Sequence, residues 1–105
     1  MTLNEYQDQA YGTALPECKN SNYMILGVCN ESGEVAGVVK KFYRGDFGEE
    51  VLREKMKKEI GDALWYLSGL AQTLDLTLEE IGEANIAKLK DRHARGVVKG
   101  DGDNR

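Results

Sequence analysis

Residues 56–74 read MKKEIGDALWYLSGLAQTL, and the apolar residues in this stretch recur at intervals of three and four. Because an α-helix turns by about 100° per residue, that period places them on one side of a helix. The stripe comprises Met56, Ile60, Ala63, Leu64, Leu67, Leu70, Ala71 and Leu74. A long helix with one apolar side must pack against other helices, so the stretch predicts an all-α bundle of four to five helices.

Three further helices are predicted around this one, which itself extends from about residue 49 to residue 74. They cover residues 3–11, 22–43 and 78–92. Thr2 and Thr77 each stand three residues before a glutamate, which is the spacing of a capping box at a helix start. Asp46 stands in the same relation to Glu49 and predicts a cap for the central helix. The loop before the second helix contains the only proline, Pro16.

The length and composition indicate one domain over residues 1–105. Apolar residues make up 41% of the chain, and there is no apolar run long enough to span a membrane and no secretory leader, so we expect a cytoplasmic protein. The net charge of −4 argues against a nucleic-acid polymer as partner. Residues 93–105 contain three glycines and no helical period, which predicts a flexible or ligand-ordered tail.

Four carboxylates are expected at the seam where the two longest helices meet. They are Glu31, Glu34, Glu59 and Asp62, in two pairs spaced three residues apart. Carboxylates that converge within a few ångströms repel one another unless cations neutralise them. An all-oxygen ligand set suits Mg²⁺, with Mn²⁺ as the second candidate. The alternative from spacing alone is that these acids pair with nearby lysines on solvated helix faces.

Four segments together resemble the MazG-like all-α nucleoside triphosphate pyrophosphohydrolases. They read NESGEVAG at 30–37, KKEIGDALWYL at 57–67, ANIAKLKDR at 84–92 and GDGDNR at 100–105. The family pattern pairs E-E-x-x-E with a later E-x-x-D, and 24 residues separate Glu34 from Glu59 here. The chain departs from the pattern at Asn30, which stands where the first glutamate of E-E-x-x-E would be.

The resemblance implies hydrolysis of a nucleoside or deoxynucleoside triphosphate to the monophosphate and pyrophosphate with Mg²⁺. It implies that Glu31, Glu34, Glu59 and Asp62 are the metal ligands. Glu34 is our candidate for the catalytic carboxylate that takes a proton from the attacking water. The matching Asn85 and Lys88 are expected near the triphosphate, with Arg92 on the same helix face and with Tyr11 and Asn22 as candidates for the base pocket. The two long helices of each subunit are expected to pack against the same pair of a partner, which makes a homodimer or a dimer of dimers, that is, a homotetramer.

Two other readings compete with this one. A non-catalytic helical dimer, acting as an interaction or regulatory module, would need its acids only for solubility and would show no metal dependence. A di-iron bundle requires Glu-x-x-His pairs, and the only histidine, His93, has Lys90 three residues before it. The second of these readings is therefore weak.

Overall fold

The computed structural model describes all 105 residues and confirms the all-α prediction. The four α-helices are α1 (Leu3–Gly12), α2 (Ser21–Arg44), α3 (Glu49–Thr73) and α4 (Leu78–Ala94), with a short 3₁₀ turn at Pro16–Cys18 between α1 and α2. There is no β-strand. None of the helices has both the length and the apolar character that a membrane crossing requires.

The ends of the helices follow local side-chain chemistry. Thr2 and Thr77 form the predicted capping boxes, in which the hydroxyl accepts from a backbone N–H and a glutamate accepts from the cap residue. The predicted Asp46 cap is wrong, because α3 begins after Gly48 with no side-chain cap. Asp46 instead accepts hydrogen bonds from the guanidinium group of Arg44 at the end of α2, which leaves its carboxylate unavailable to the first turn of α3.

The main packing interface joins α2 to α3, which run antiparallel on either side of the short turn between them. The helices approach closely because each contributes a glycine opposite a large side chain of the other. Gly27 of α2 lies directly against the ring of Tyr66, and Gly69 of α3 lies against the fully buried Met24. A Cβ atom at either glycine would overlap the facing side chain. This contact fixes the register that determines which residues meet further along the pair.

A buried glutamine ties α1 to the rest of the chain. Gln7 is 3% exposed, and its side-chain amide donates to the backbone carbonyl of Leu76 at 2.8 Å. Its side-chain carbonyl accepts from the backbone N–H of Leu78 at 2.8 Å, at the start of α4. Because a buried amide without partners is costly, these bonds hold α1 against the junction of α3 and α4. Consequently α4 packs against α1, and its packing along the α2–α3 pair is slight.

The last residues form a turn structure on the end of α4. Gly96 follows the helix with a φ of 71°, the left-handed conformation that favours glycine after a helix end. The Arg105 side chain then donates to the backbone carbonyls of Val97, Val98 and Gly102. The helix thus continues two residues beyond the predicted end at Arg92, and the segment after it folds back through backbone-directed hydrogen bonds.

Candidate active site

Three of the four predicted acids meet at the α2–α3 interface. Glu31 of α2 and Glu59 and Asp62 of α3 each offer a carboxylate oxygen, and these oxygens all lie within 4.8 Å of one another. Glu31 and Glu59 are half-buried and Asp62 is exposed. We call these three residues the acidic trio.

The trio concentrates negative charge in a partly desolvated place. Burial raises the pKa of the Glu31 carboxyl, and the neighbouring carboxylates of Asp62 and Glu59 raise it further. The effect extends to α1, where burial and then the charge of Asp62 raise the pKa of the Tyr6 hydroxyl. Charges arranged in this way favour a cation at their centre.

The donor set of the trio fits a hard divalent cation. All of its donors are carboxylate oxygens, with no histidine or thiolate, and oxygen ligands are what Mg²⁺ and Mn²⁺ prefer. The exposure of Asp62 leaves one side of the trio open to a substrate. The residues present therefore fit a hard divalent cation with one side open.

Glu34, the remaining predicted ligand, lies outside the trio. It is exposed, and together with Glu59 it lines a cavity of roughly 210 Å³ that also contains Lys41, Lys55 and Lys58. None of these three lysines forms an ion pair with any of the four acids. The structure thus gives no support to the alternative in which the carboxylates are neutralised by neighbouring lysines.

Two aromatic residues lie on the other side of the trio. Trp65 and Tyr66 line a second cavity, of roughly 380 Å³, together with Glu31 and Asp62. Their rings meet edge to face with centroids 5.0 Å apart, and the Trp65 indole N–H donates to the hydroxyl of Thr13 at 2.9 Å. Trp65 would be expected in the core or at a subunit interface, because a large apolar residue on a helix of a bundle is most often core. The structure leaves both rings half-buried beside the acids.

The predicted phosphate-contacting residues of α4 are not brought to the trio within one chain. Asn85 and Lys88 line a separate cavity of roughly 460 Å³ beside Leu76 and Ile81. The Lys88 ammonium group donates to the Asp103 carboxylate at 3.0 Å.

Arg92 lies one turn beyond Lys88 on α4 and contacts the same C-terminal residue, Asp103. It is 5% exposed and donates to the side-chain and backbone oxygens of Asp103. The two cations hold the pKa of Asp103 below its usual value. Because a buried guanidinium needs a partner to offset its lost hydration, this ion pair anchors the segment after α4.

The two predicted base-pocket residues lie before and at the start of α2. Tyr11 is half-buried at the end of α1, with the Lys19 ammonium group 4.8 Å from the centre of its ring. Asn22 is exposed in the first turn of α2. Neither residue lines the cavities that flank the trio.

Comparison with known proteins points to one family. The sequence profile of the MazG nucleotide pyrophosphohydrolase domain matches residues 19–97, which include the whole trio, Asn85 and Lys88. The Gene 37 protein of Mycobacterium phage L5 is 36% identical over an alignment of 114 residues that covers 100% of both chains. That name states no activity. No solved structure matches the chain significantly.

Proposed function

Because this chain belongs to the MazG nucleotide pyrophosphohydrolase family, we propose that it hydrolyses nucleoside or deoxynucleoside triphosphates to the monophosphate and pyrophosphate in an Mg²⁺-dependent reaction. The observation that carries the proposal is the convergence of Glu31, Glu59 and Asp62 at one point of the α2–α3 interface. An Mg²⁺ ion there would neutralise phosphate charge and lower the pKa of a water molecule.

The chain's own residues have distinct tasks in this reaction. The trio would hold the cation and so determine the place at the α2–α3 interface where the phosphates of the substrate bind. Water attacks the α-phosphorus, and the bond from the α-phosphorus to the oxygen that bridges it to the β-phosphorus breaks. Glu34 is exposed and outside the trio, so its carboxylate is free to accept the proton of the water. Pyrophosphate leaves with the bridging oxygen.

A product analysis tests the proposal. The purified protein is incubated with each of the eight common NTPs and dNTPs in EDTA, Mg²⁺ or Mn²⁺, and the products are separated by chromatography. We expect monophosphate and pyrophosphate in equal amounts, and only with a divalent cation. Formation of diphosphate and phosphate would show cleavage between the β- and γ-phosphates and would contradict the proposed reaction. No turnover of any nucleotide would favour a non-catalytic helical module.

The working form of the protein is proposed to contain at least two copies. One chain exposes 7668 Å², about 1,800 Å² more than a compact monomer of this mass. Its radius of gyration is 16.6 Å, against about 13 Å for a compact chain of this length. A standard interface buries only about 800 Å² per partner. The extra exposed surface of about 1,800 Å² is therefore large enough for one or more interfaces with further copies of the chain.

The surface best suited to a second copy is one side of α3. Ile60 and Leu67 of α3 and Leu74, which directly follows the helix, are spaced seven residues apart and continue one face of it. They are 57%, 46% and 55% exposed, although the sequence predicts all three as core. A partner that covered this face would bury the exposed part of the apolar stripe.

A single charged substitution tests this assembly. We expect the wild-type chain to sediment as a dimer or tetramer and Leu67→Glu to sediment near the monomer mass of 11.7 kDa, because a carboxylate cannot be buried without a partner. Leu15→Glu, an exposed loop residue, is the matched control and should leave the mass unchanged. A wild-type protein that stays monomeric at tens of micromolar would contradict the proposal.

A further inference from the structure

The cavity on the aromatic side of the trio has no positively charged side chain in its lining. Glu31, Asp62, Trp65 and Tyr66 line it, and its volume is roughly 380 Å³. Two carboxylates repel phosphate oxygens, whereas the face of an aromatic ring attracts a flat ring with no charge. The lining therefore suits a nucleobase whose phosphates reach the trio next to it.

The fold holds both aromatic rings of this cavity in place. The ring of Tyr66 lies directly against Gly27 of α2. The indole N–H of Trp65 donates to the hydroxyl of Thr13 at 2.9 Å, and that hydroxyl donates to the backbone carbonyl of Ala10 at 2.6 Å. Thr13 thus links a backbone group of α1 to the indole ring on α3 and fixes the direction in which the ring points.

The hydrogen bond to Thr13 also determines what Trp65 offers to a ligand. An indole has one N–H and no acceptor, so Thr13 engages its only polar group. The rest of the ring can stack on a base, but it cannot form a hydrogen bond that distinguishes one base from another. Stacking tolerates every nucleobase, since each has a π-face.

We propose that Thr13 is a positioning residue that holds Trp65 as one wall of a nucleobase site. This assignment rests on the proposed function and adds to it a wall that accepts purines and pyrimidines alike. A ring that is already held in its bound orientation loses less conformational freedom when the base binds. Thr13 does not line the cavity, so it acts only through Trp65.

The fluorescence of Trp65, the only tryptophan in the chain, reports on this site directly. The eight common nucleoside and deoxynucleoside monophosphates, which the proposed reaction does not hydrolyse, are each titrated in Mg²⁺ with excitation at wavelengths that the bases do not absorb. Stacking should quench the emission. Thr13→Val, which removes the hydroxyl, should raise the Kd about threefold to tenfold, the cost of ordering one free side chain. Thr13→Ser, which keeps the hydroxyl, should retain the wild-type Kd.

A matched control separates this role from a general effect on a helix end. Thr73, at the end of α3, also donates its hydroxyl to the carbonyl three residues before it, but it holds no aromatic ring. Thr73→Val should therefore leave the Kd unchanged. In a double-mutant cycle followed by calorimetry, Thr13→Val should add nothing to Trp65→Phe, because phenylalanine has no N–H for Thr13 to accept. With triphosphates, Thr13→Val should raise KM and leave kcat unchanged.

The outcomes distinguish failure of this inference from failure of the proposed function. Wild-type emission that no monophosphate changes overturns the site, and equal Kd values for Thr13→Val and Thr13→Ser overturn the role of Thr13. If quenching depends on the Thr13 hydroxyl but no triphosphate is hydrolysed, the inference is supported and the proposed reaction fails. If triphosphates are hydrolysed while Thr13→Val keeps the wild-type KM and Kd, the reaction is supported and the inference fails.

Discussion

Replacement of Glu59 by glutamine, or of Asp62 by asparagine, is expected to lower metal-dependent turnover by about a hundredfold to a thousandfold, because each change removes a carboxylate proposed to hold the cation that stabilises the developing charge. The two side chains contribute two of the three oxygens that converge within 4.8 Å. Steady-state kinetics on the best nucleotide of the panel gives the measurement. Glu83→Gln, which removes an exposed acid of α4 outside the trio, is the charge-matched control.

Measurements of thermal unfolding distinguish a variant that has lost only the cation site from a variant whose fold is destabilised. Burial, and then the neighbouring carboxylates of Asp62 and Glu59, raise the pKa of Glu31, and like charges this close repel one another in the metal-free protein. Neutralising one of them should therefore raise Tm in EDTA, while the gain in Tm on adding Mg²⁺ should shrink or vanish. Near-normal turnover of both variants would place catalysis elsewhere on the chain. A lower Tm in EDTA would show that the acids serve the fold.

The starts of two helices were predictable because their caps depend only on residues close in sequence. The one wrong cap has a second possible partner for the same side chain. A threonine with a glutamate three residues on needs only its own backbone to form a capping box, so Thr2 and Thr77 act as predicted. Asp46 has the same spacing to Glu49, but it is also two residues from Arg44. An ion pair with a guanidinium group competes with capping, and spacing alone does not show which of the two wins.

The candidate site was predictable where helical periodicity governs it. Three residues along a helix correspond to a rotation of about 60° from the starting direction, which brings Glu31 to the interface and leaves Glu34 at its edge. The same geometry places Glu59 and Asp62 opposite Glu31, as the structure shows. The ligand roles of Glu31, Glu34, Glu59 and Asp62 stay predictions.

The lysine cavity and the exposure of the aromatic pair were not predictable in the same way. Lysines beside acids on a helix are most often partners of those acids or solvated. Only the structure shows that Lys41, Lys55 and Lys58 form no ion pair with the acids and that Lys55 lies over the ring of Phe47 instead. The exposed side of α3 has a related cause. An apolar stripe indicates burial but does not say whether the covering surface belongs to the same chain or to another copy, and Leu67 is still 46% exposed in one chain.

The structural roles of the glycines were the hardest to predict from the sequence. Gly33 and Gly61 flank the acids and suggest room for a bulky group, yet a Cβ at either would meet no atom within 4 Å. Gly27 and Gly69 give no periodic signal of their own, and they are the two at which the helices touch. The distinction depends on the facing side chain, which the sequence does not identify.

Alanine at Gly27 should destabilise the protein by about 1–3 kcal/mol, the usual cost of overpacking a tight interface. A Cβ there would lie 2.1 Å from two ring carbons of Tyr66 and 2.6 Å from Cγ. Because Cγ is the base of the ring, a small rotation does not relieve the overlap, and either the ring or the helix must move. Gly33→Ala is the matched control, since both positions lie within α2 and gain about 1 kcal/mol of helix propensity.

Gly69→Ala completes the series. Its Cβ would lie 2.5 Å from the sulfur of Met24, and an unbranched thioether adapts more readily than a ring. The expected order of the free energy of unfolding is therefore Gly33→Ala highest, then Gly69→Ala, then Gly27→Ala. Urea denaturation at one fixed protein concentration measures it, because self-association would make stability depend on concentration. Equal stability of the Gly27 and Gly33 variants would show that α2 and α3 do not meet through Gly27 and Tyr66. The register that aligns the acidic trio would then need another explanation.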